Sequence, residues 1–224
     1  MLRGQLVVSC QPVTGGPMDA PAFVAAMALA ALAGGAAGLR IEGLANVRAV
    51  RAVTDRPVIG LVKRAEPDSA IYITPRPEDV AALCAAGADI VAFDATARPR
   101  PAPLVALAAA AHAGGALAMA DLAAEADAAP ALAASVDILG TTLSGYTGGA
   151  VPQAPDPAPD LALVTALARL GRPVFAEGRY RTPEQARDAI AAGASCVVVG
   201  SAITRIEHIT GWFADAVRAA SGAA

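Results

Sequence analysis

The sequence predicts a (β/α)8 barrel, and three observations carry that prediction. Short apolar runs of strand length alternate with longer Ala/Leu-rich stretches of helix length, eight times along the chain. The 224 residues suit one such barrel, which typically needs about 250 and manages with about 200. Glycine recurs where a helix must turn into the next strand, in residues 33–35, 86–88, 113–115, 170–172 and 192–194. One domain covering residues 1–224 is expected.

In chain order, strands are expected at Leu6–Cys10, Gly38–Arg40, Val58–Val62, Asp89–Phe93, Ala116–Ala120, Val136–Leu139, Pro173–Ala176 and Cys196–Val199. All are nearly continuously apolar, as parallel strands buried on both faces should be. Helices are expected to begin near Pro21, Leu44, Pro77, Ala102, Leu122, Asp160, Thr182 and Ala202, several of them at a Pro or a small polar residue. The longest irregular segment, Gly145 to Asp160, is rich in Gly and Pro and reads as a plain loop, with a lid as the alternative. A doubly wound open sheet would also alternate strands with helices. Eight similar units and the lack of a G-x-G-x-x-G turn after the first strand favour a closed TIM-type barrel of parallel strands.

Composition narrows the function classes. The chain is 55% hydrophobic and 17% charged, but no stretch approaches the roughly 20 unbroken apolar residues of a membrane helix. The N-terminus runs straight into a short strand without the features of a secretory signal, so a cytoplasmic location is expected. A net charge of −3 with mixed signs argues against a nucleic-acid surface and points to a small-molecule partner. Cys10, Cys84 and Cys196 are odd in number and far apart, which favours buried thiols over a disulfide framework or zinc site. His112 and His208 lack metal-ligand spacing and read as surface or packing residues. No metal is expected.

Polarity collects at the strand exits. These carry Gln11, Arg40, Lys63-Arg64, Asp94-Ala95-Thr96, Asp121, Thr141 to Tyr146, Glu177-Gly178-Arg179 and Gly200-Ser201. In a barrel all eight exits converge on one mouth, where enzymes of this architecture place their chemistry. A single polar exit is usually a surface group; eight together are harder to dismiss. The run Val197 to Thr204 reads as a strand, a glycine that permits close approach, and a helix start whose N–H groups favour an anion. Gly178, Gly200 and Ser201 thus mark a phosphate site, with Arg205 as a bidentate contact, although Ser201 could simply cap a helix.

These strings resemble the N-acylglucosamine-6-phosphate 2-epimerases, which interconvert N-acetylmannosamine 6-phosphate and N-acetylglucosamine 6-phosphate in sialic acid catabolism. The resemblance rests on Val8 to Gln11, Met27 to Ala31, Val58 to Arg64, Ile71 to Pro75, Gly87 to Thr96, Met119 to Asp121, Thr141 to Thr147, Ala176 to Arg179 and Val199 to Arg205. It implies a (β/α)8 barrel with no required metal or organic cofactor, a catalytic lysine at Lys63 and a catalytic or orienting acid at Glu177. It also implies sugar contacts from Gln11, Arg40, Asp121 and Arg179, with Arg205 near the phosphate. The segments Ala97 to Pro103 and Gly148 to Asp160 differ from the lysine-rich versions of the family, and neither touches a motif residue.

Inverting a carbon beside an aldehyde requires a base and stabilisation of the developing enolate oxygen. Lys63 can be that base if neutral, which for an amine of reference pKa about 10.4 requires desolvation or neighbouring cations. Arg40, Arg64 and Arg179 are the candidates. A Lys63–Glu177 salt bridge would oppose the base role. Arg40 paired with Glu42, Gln11 in a loop hydrogen bond, Asp94 and Asp121 as loop-holding carboxylates and Tyr146 as a packing group are the bland readings. A Schiff-base aldolase is a second hypothesis, and a non-catalytic phosphosugar-binding barrel a third. The Trp212-Phe213 pair is expected in the barrel core, with a homodimer contact as the alternative.

Overall fold

The computed structural model describes residues 2–147 and 158–221. Eight strands close into a barrel in sequence order, every neighbouring pair parallel, with β8 pairing back onto β1. The strands are β1 (Gln5–Cys10), β2 (Gly38–Glu42), β3 (Val58–Leu61), β4 (Ile90–Asp94), β5 (Leu117–Asp121), β6 (Ile138–Gly140), β7 (Val174–Glu177) and β8 (Cys196–Val199). Helices follow them: α1 (Pro21–Ala33), α2 (Leu44–Arg51), α3 (Pro77–Ala85), α4 (Leu104–Ala113), α5 (Ala128–Ala133), α6 (Leu161–Ala168), α7 (Pro183–Ala191), α8 (Ser201–Thr204) and α9 (Ile206–Ala220). This is the expected TIM barrel. Among the described residues no helix is long and apolar enough to cross a membrane.

Period-two alternation sorts the core into two layers. Ile59 and Leu61 of β3, Ile90 and Ala92 of β4, Met119 of β5, Phe175 of β7 and Cys196 and Val198 of β8 pack together inside the barrel. Their sequence neighbours Val58, Val91, Phe93, Ala118, Ala120, Val174, Ala176 and Val197 pack outward beneath the helices. Continuing the inward phase past the apolar layers reaches Arg40, Asp121 and Glu177. Strand-end polarity therefore enters the mouth because of register, not merely because the strand is ending.

The helix-to-strand glycines behave as expected: Gly35, Gly87, Gly115, Gly171 and Gly193 all have positive φ. Three helix starts differ from expectation. Helix α4 begins at Leu104, after Pro103 in extended geometry. Helix α5 begins at Ala128 after a 3-10 turn, Glu125–Asp127, which Asp127 holds by accepting the N–H groups of Ala123 and Ala124, each at 3.0 Å. The helix expected from Ala202 is split in two at Arg205, whose φ of −104° and ψ of 87° are not helical. Thr204 Oγ1 donates to the Ser9 carbonyl at 2.8 Å and Arg205 Nε to the Gln11 carbonyl at 2.9 Å, so the chain is pinned to the end of β1 there.

The expectation for the last helix also changes. Among its described residues α9 buries none, and Phe213 is 71% exposed. Trp212 lies half-buried at the mouth rather than in the core. The barrel interior is already filled by strand residues, which leaves no room for either ring. The three cysteines are free thiols, and burial pushes Cys10 and Cys196 up to about 12, which makes them poor nucleophiles near neutral pH. For the Gly145 to Asp160 segment, residues 148–157 lie outside the described residues, and with them the choice between loop and lid.

Candidate active site

A cavity of about 500 Å³ opens at the C-terminal ends of the strands, within the range usual for small-molecule sites. Its floor is set by Arg40. This guanidinium is 1% exposed and donates to both oxygens of Asp121, through Nη1 to Oδ1 at 3.2 Å and Nη2 to Oδ2 at 2.6 Å. Its Nη1 also lies 2.9 Å from Glu177 Oε2. Thr142 Oγ1 completes the network, 2.7 Å from Asp121 Oδ1 and 3.2 Å from Glu177 Oε2. Arg40 therefore faces β5 and β7 and does not pair with Glu42.

Room for this network comes from Gly140 on β6. A Cβ there would sit 2.6 Å from Met119 Cε and 3.1 Å from Asp121 Oδ1, so any side chain would press on the carboxylate. The strand that carries Glu177 is stitched to the next loop by Thr141, whose Oγ1 accepts the Glu177 N–H at 3.0 Å and donates to the Glu177 carbonyl at 2.8 Å. Gly178, with φ of 110°, then turns the chain out of the strand in a conformation that favours glycine.

One cation for two buried carboxylates has an electrostatic consequence. Burial pushes the Glu177 carboxyl up to about 7; Arg40 opposes the shift, the Asp121 charge adds to it, and Thr142 and Lys63 pull against it. Glu177 can thus carry or release a proton near neutrality. Arg40 stays charged because Asp121 and Glu177 outweigh the desolvation that opposes it.

Lys63 follows β3 on a segment that folds back as an antiparallel bridge to Ile73. Thr74 anchors that return: its Oγ1 donates to the Ala92 carbonyl at 2.7 Å and accepts the Val62 N–H at 3.2 Å. Solvent reaches the Lys63 side chain through the open mouth, yet the cavity walls surround it. Its pKa is lowered, first by desolvation and then by Arg205; Arg40 adds to the effect while Glu42 and Glu177 oppose it. Among the described residues Lys63 makes no ion pair, so the competing salt bridge with Glu177 is not formed. The cations acting on it are Arg205 and Arg40. Arg64 turns away to pair with Asp79, and Arg179 donates to the Ser144 and Ala158 carbonyls.

The opposite side of the cavity collects Gly178, Gly200, Ser201 and Arg205. Gly200 lies against β1, where a Cβ would be 3.3 Å from Ser9 Cβ. Ser201 is the first residue of α8 and does not cap it with its side chain. Helix α8 is a single turn of four residues, far shorter than a full helix start, so the anion-binding strength here must come largely from side-chain charge. Arg205 uses Nε on the Gln11 carbonyl, and among the described residues its terminal nitrogens have no protein partner.

Every residue expected to bind or react except Asp121 lines the cavity, and Asp121 lies directly behind Arg40. Gln11 lines it while its Nε2 donates to Ser9 Oγ at 2.9 Å. Asp94 is excluded, since it holds its own loop through Thr96 and Arg98. His112 contacts Asp137 at 2.8 Å, away from the mouth. His208 is exposed, in line with its reading as a surface residue, and also lines the cavity, because the break at Arg205 turns this face of α9 to the mouth. Sequence reasoning assigned no individual site role to Thr142, Tyr72, Arg181 or Trp212, all cavity residues. The period-two count from Gly140 is a signal that points to Thr142; the other three depend on folding after the strand.

Such a mouth, with an anion-ready end and a lysine and a carboxyl group facing one cavity, defines a class: barrel enzymes that hold a charged small molecule and move a proton on it. Residues 24–219 match the family model NanE, described as "Putative N-acetylmannosamine-6-phosphate epimerase". The chain belongs to this N-acetylmannosamine-6-phosphate epimerase family. It is 58% identical over 217 residues to a protein of Yersinia pseudotuberculosis serotype O:1b (strain IP 31758) named "Putative N-acetylmannosamine-6-phosphate 2-epimerase", covering 97% of this chain and 91% of that one. A solved structure of the N-acetylmannosamine-6-phosphate 2-epimerase from Clostridium perfringens superposes with a TM-score of 0.91 at 39% identity, covering 96% of this chain and 93% of that one. The thiamine phosphate pyrophosphorylase of Pyrococcus furiosus, at 17% identity and a TM-score of 0.60 over 89% and 87% of the two chains, shares the fold alone.

Proposed function

We propose that this chain interconverts N-acetylmannosamine 6-phosphate and N-acetylglucosamine 6-phosphate by removing and returning the proton at C2. The observation that carries the reading is Lys63: an amine at the cavity wall, without an ion-pair partner among the described residues and with its pKa lowered, opposite a carboxyl group poised near neutrality. Neutral Lys63 takes the C2 proton of the open-chain sugar. The electron pair moves into the C1 carbonyl to give an enolate, whose oxygen is stabilised by positive charge and hydrogen-bond donors at the Arg40 end. Glu177, protonated for part of the time near pH 7, exchanges a proton with the ring or carbonyl oxygens as the pyranose opens. Reprotonation of C2 on the opposite face gives the other epimer.

Gln11, Arg40, Asp121 and Arg179 position the sugar in this reading, and Gly178, Gly200, Ser201 and Arg205 hold the phosphate. A phosphorylated sugar is retained inside a cell, so the same reading places the protein in the cytoplasm. Incubation with N-acetylmannosamine 6-phosphate in D2O, followed by NMR, tests it. Deuterium should enter at C2 as the gluco isomer accumulates; wild-type protein that does neither would sink the proposal.

A further inference from the structure

Tyr72 stands on the segment that folds back beside Lys63. The Lys63–Ile73 bridge is flanked by backbone hydrogen bonds from the Arg64 N–H to the Tyr72 carbonyl and from the Thr74 N–H to the Val62 carbonyl, both at 2.8 Å. Within this turn Ser69 Oγ donates to the Pro99 carbonyl at 2.6 Å, which fastens the segment to the loop after β4. Tyr72 is partly exposed, lines the cavity and is acted on by Asp121, Asp94, Arg98 and Arg40, so its phenol lies on the β4–β5 side of the mouth. Burial first, and then the two carboxylates, raise its pKa, so the hydroxyl keeps its proton and is a neutral donor. Among the described residues that hydroxyl makes no hydrogen bond.

In the epimerase reading, the layout of the mouth gives each group on C2 a direction. The enolate is planar at C2, with C1, C3 and the acylamino nitrogen in the plane and Lys63 facing one side of it. C3 leads through the sugar chain to the phosphate, beside Gly200 and Arg205 at the β8 and β1 side. C1 carries the oxygen that exchanges its proton with Glu177 of β7. The acylamino group is left with the β4–β5 side, where Tyr72 stands. Its amide carbonyl needs a donor there, and Arg40 is already committed to Asp121 and Glu177, while ionised Asp94 and Asp121 only accept. Ile73 and Leu143, members of the inner apolar cluster, line the same cavity and give an acyl methyl apolar surface.

We propose that the Tyr72 hydroxyl donates a hydrogen bond to the carbonyl oxygen of the substrate's N-acyl group and makes the site selective for acylated amino sugars. The proposal rests on the epimerase reading of the site and adds to it a residue that sets which C2 substituent is accepted.

Tyr72→Phe removes the hydroxyl and keeps the ring. It should raise KM for N-acetylmannosamine 6-phosphate about 3- to 15-fold, with kcat within about threefold of wild type. Two alditols isolate binding, because they have no aldehyde and cannot react: 2-acetamido-2-deoxyglucitol 6-phosphate and glucitol 6-phosphate differ only in the group on C2. Titrated calorimetrically into the full chain, the acetamido compound should bind Tyr72→Phe about 3- to 15-fold more weakly than wild type. Glucitol 6-phosphate should be unchanged within about twofold, since it has no acyl carbonyl to lose. Equal weakening of both alditols, or unchanged binding of the acetamido compound, would overturn the proposal. So would a fall in kcat beyond about tenfold with acetamido binding intact, which would move the hydroxyl to the enolate oxygen. Wild-type protein that favours the acetamido alditol through Tyr72 but fails to exchange the C2 proton would overturn the assigned reaction and leave the acyl contact supported.

Discussion

The two ends of the barrel use acidic residues in opposite ways. At the N-terminal end, Asp89 accepts the Val58 N–H at 2.9 Å and pairs with Arg51 of α2, while Asp137 accepts the Ala118 N–H at 2.8 Å and contacts His112 of α4. Each carboxylate joins a backbone donor of the preceding strand to a side chain on a surrounding helix. At the C-terminal mouth, Asp121 and Glu177 share one buried guanidinium, and among the described residues the Glu177 carboxylate takes hydrogen bonds from side chains only. At the mouth, desolvation beside a single shared cation pushes the Glu177 carboxyl up to about 7, while the carboxylates of the other end are engaged with backbone and helix. The first arrangement serves the closed sheet; the second serves chemistry.

The sharpest way to break this contrast is Lys63→Ala, which should lower C2 exchange by about 10²- to 10⁴-fold, the usual contribution of a positioned base. Thermal unfolding should be little changed, since the side chain is reached by solvent; an equal loss of folding would return Lys63 to a structural role. Glu177→Gln should cost about 10²-fold in kcat/KM and also alter stability against pH. Because the folded-state pKa is raised from its ordinary 4.5 to about 7, ionising Glu177 works against the fold. Its contribution is intact below about 4.5 and is lost as pH rises through about 7. The Tm of the wild type should therefore fall more steeply across that window than the Tm of Glu177→Gln, and parallel curves would show that Glu177 does not titrate there.

Arg205→Ala sharpens the same picture from the other cation. Removing this positive neighbour should raise the Lys63 pKa, so the acid limb of the kcat/KM profile should move to higher pH. An unmoved limb would mean that Lys63 does not feel Arg205. The smallest effect belongs to the opposite end of the barrel. Asp137→Ala removes the acceptor of a strand N–H and should reduce stability by about 1–2 kcal/mol in denaturant unfolding, with kcat and KM unchanged. A change in kcat would tie the two ends together.

Much of the mouth was legible in the sequence because strand alternation is local. Once Met119 is inside, Asp121 must be inside; once Phe175 is inside, so is Glu177. The eight-fold alternation and the helix-ending glycines made the barrel readable for the same reason. What partners each group meets was not legible, because it depends on side chains far apart in sequence: Arg40 and Asp121 are separated by 81 residues. For Lys63, the nearby Arg64 looked like an effective neighbour, yet Arg205 is the one that acts. The aromatic pair of α9 misled because an apolar pair usually implies burial, and nothing local signals that Thr204 and Arg205 are fastened to β1. Tyr72 reaches the cavity only because the chain after β3 folds back at Ile73.

That fastening has a temporal consequence. Thr204 reaches Ser9 across 195 positions and Arg205 reaches Gln11 across 194, so the anion end of the mouth is built where the first strand meets the last. During synthesis, the lysine and the carboxyl group can be present on a growing chain while Arg205 has yet to emerge. Substrate grip should appear only when the ring of strands closes, making phosphate binding a reporter of completed folding.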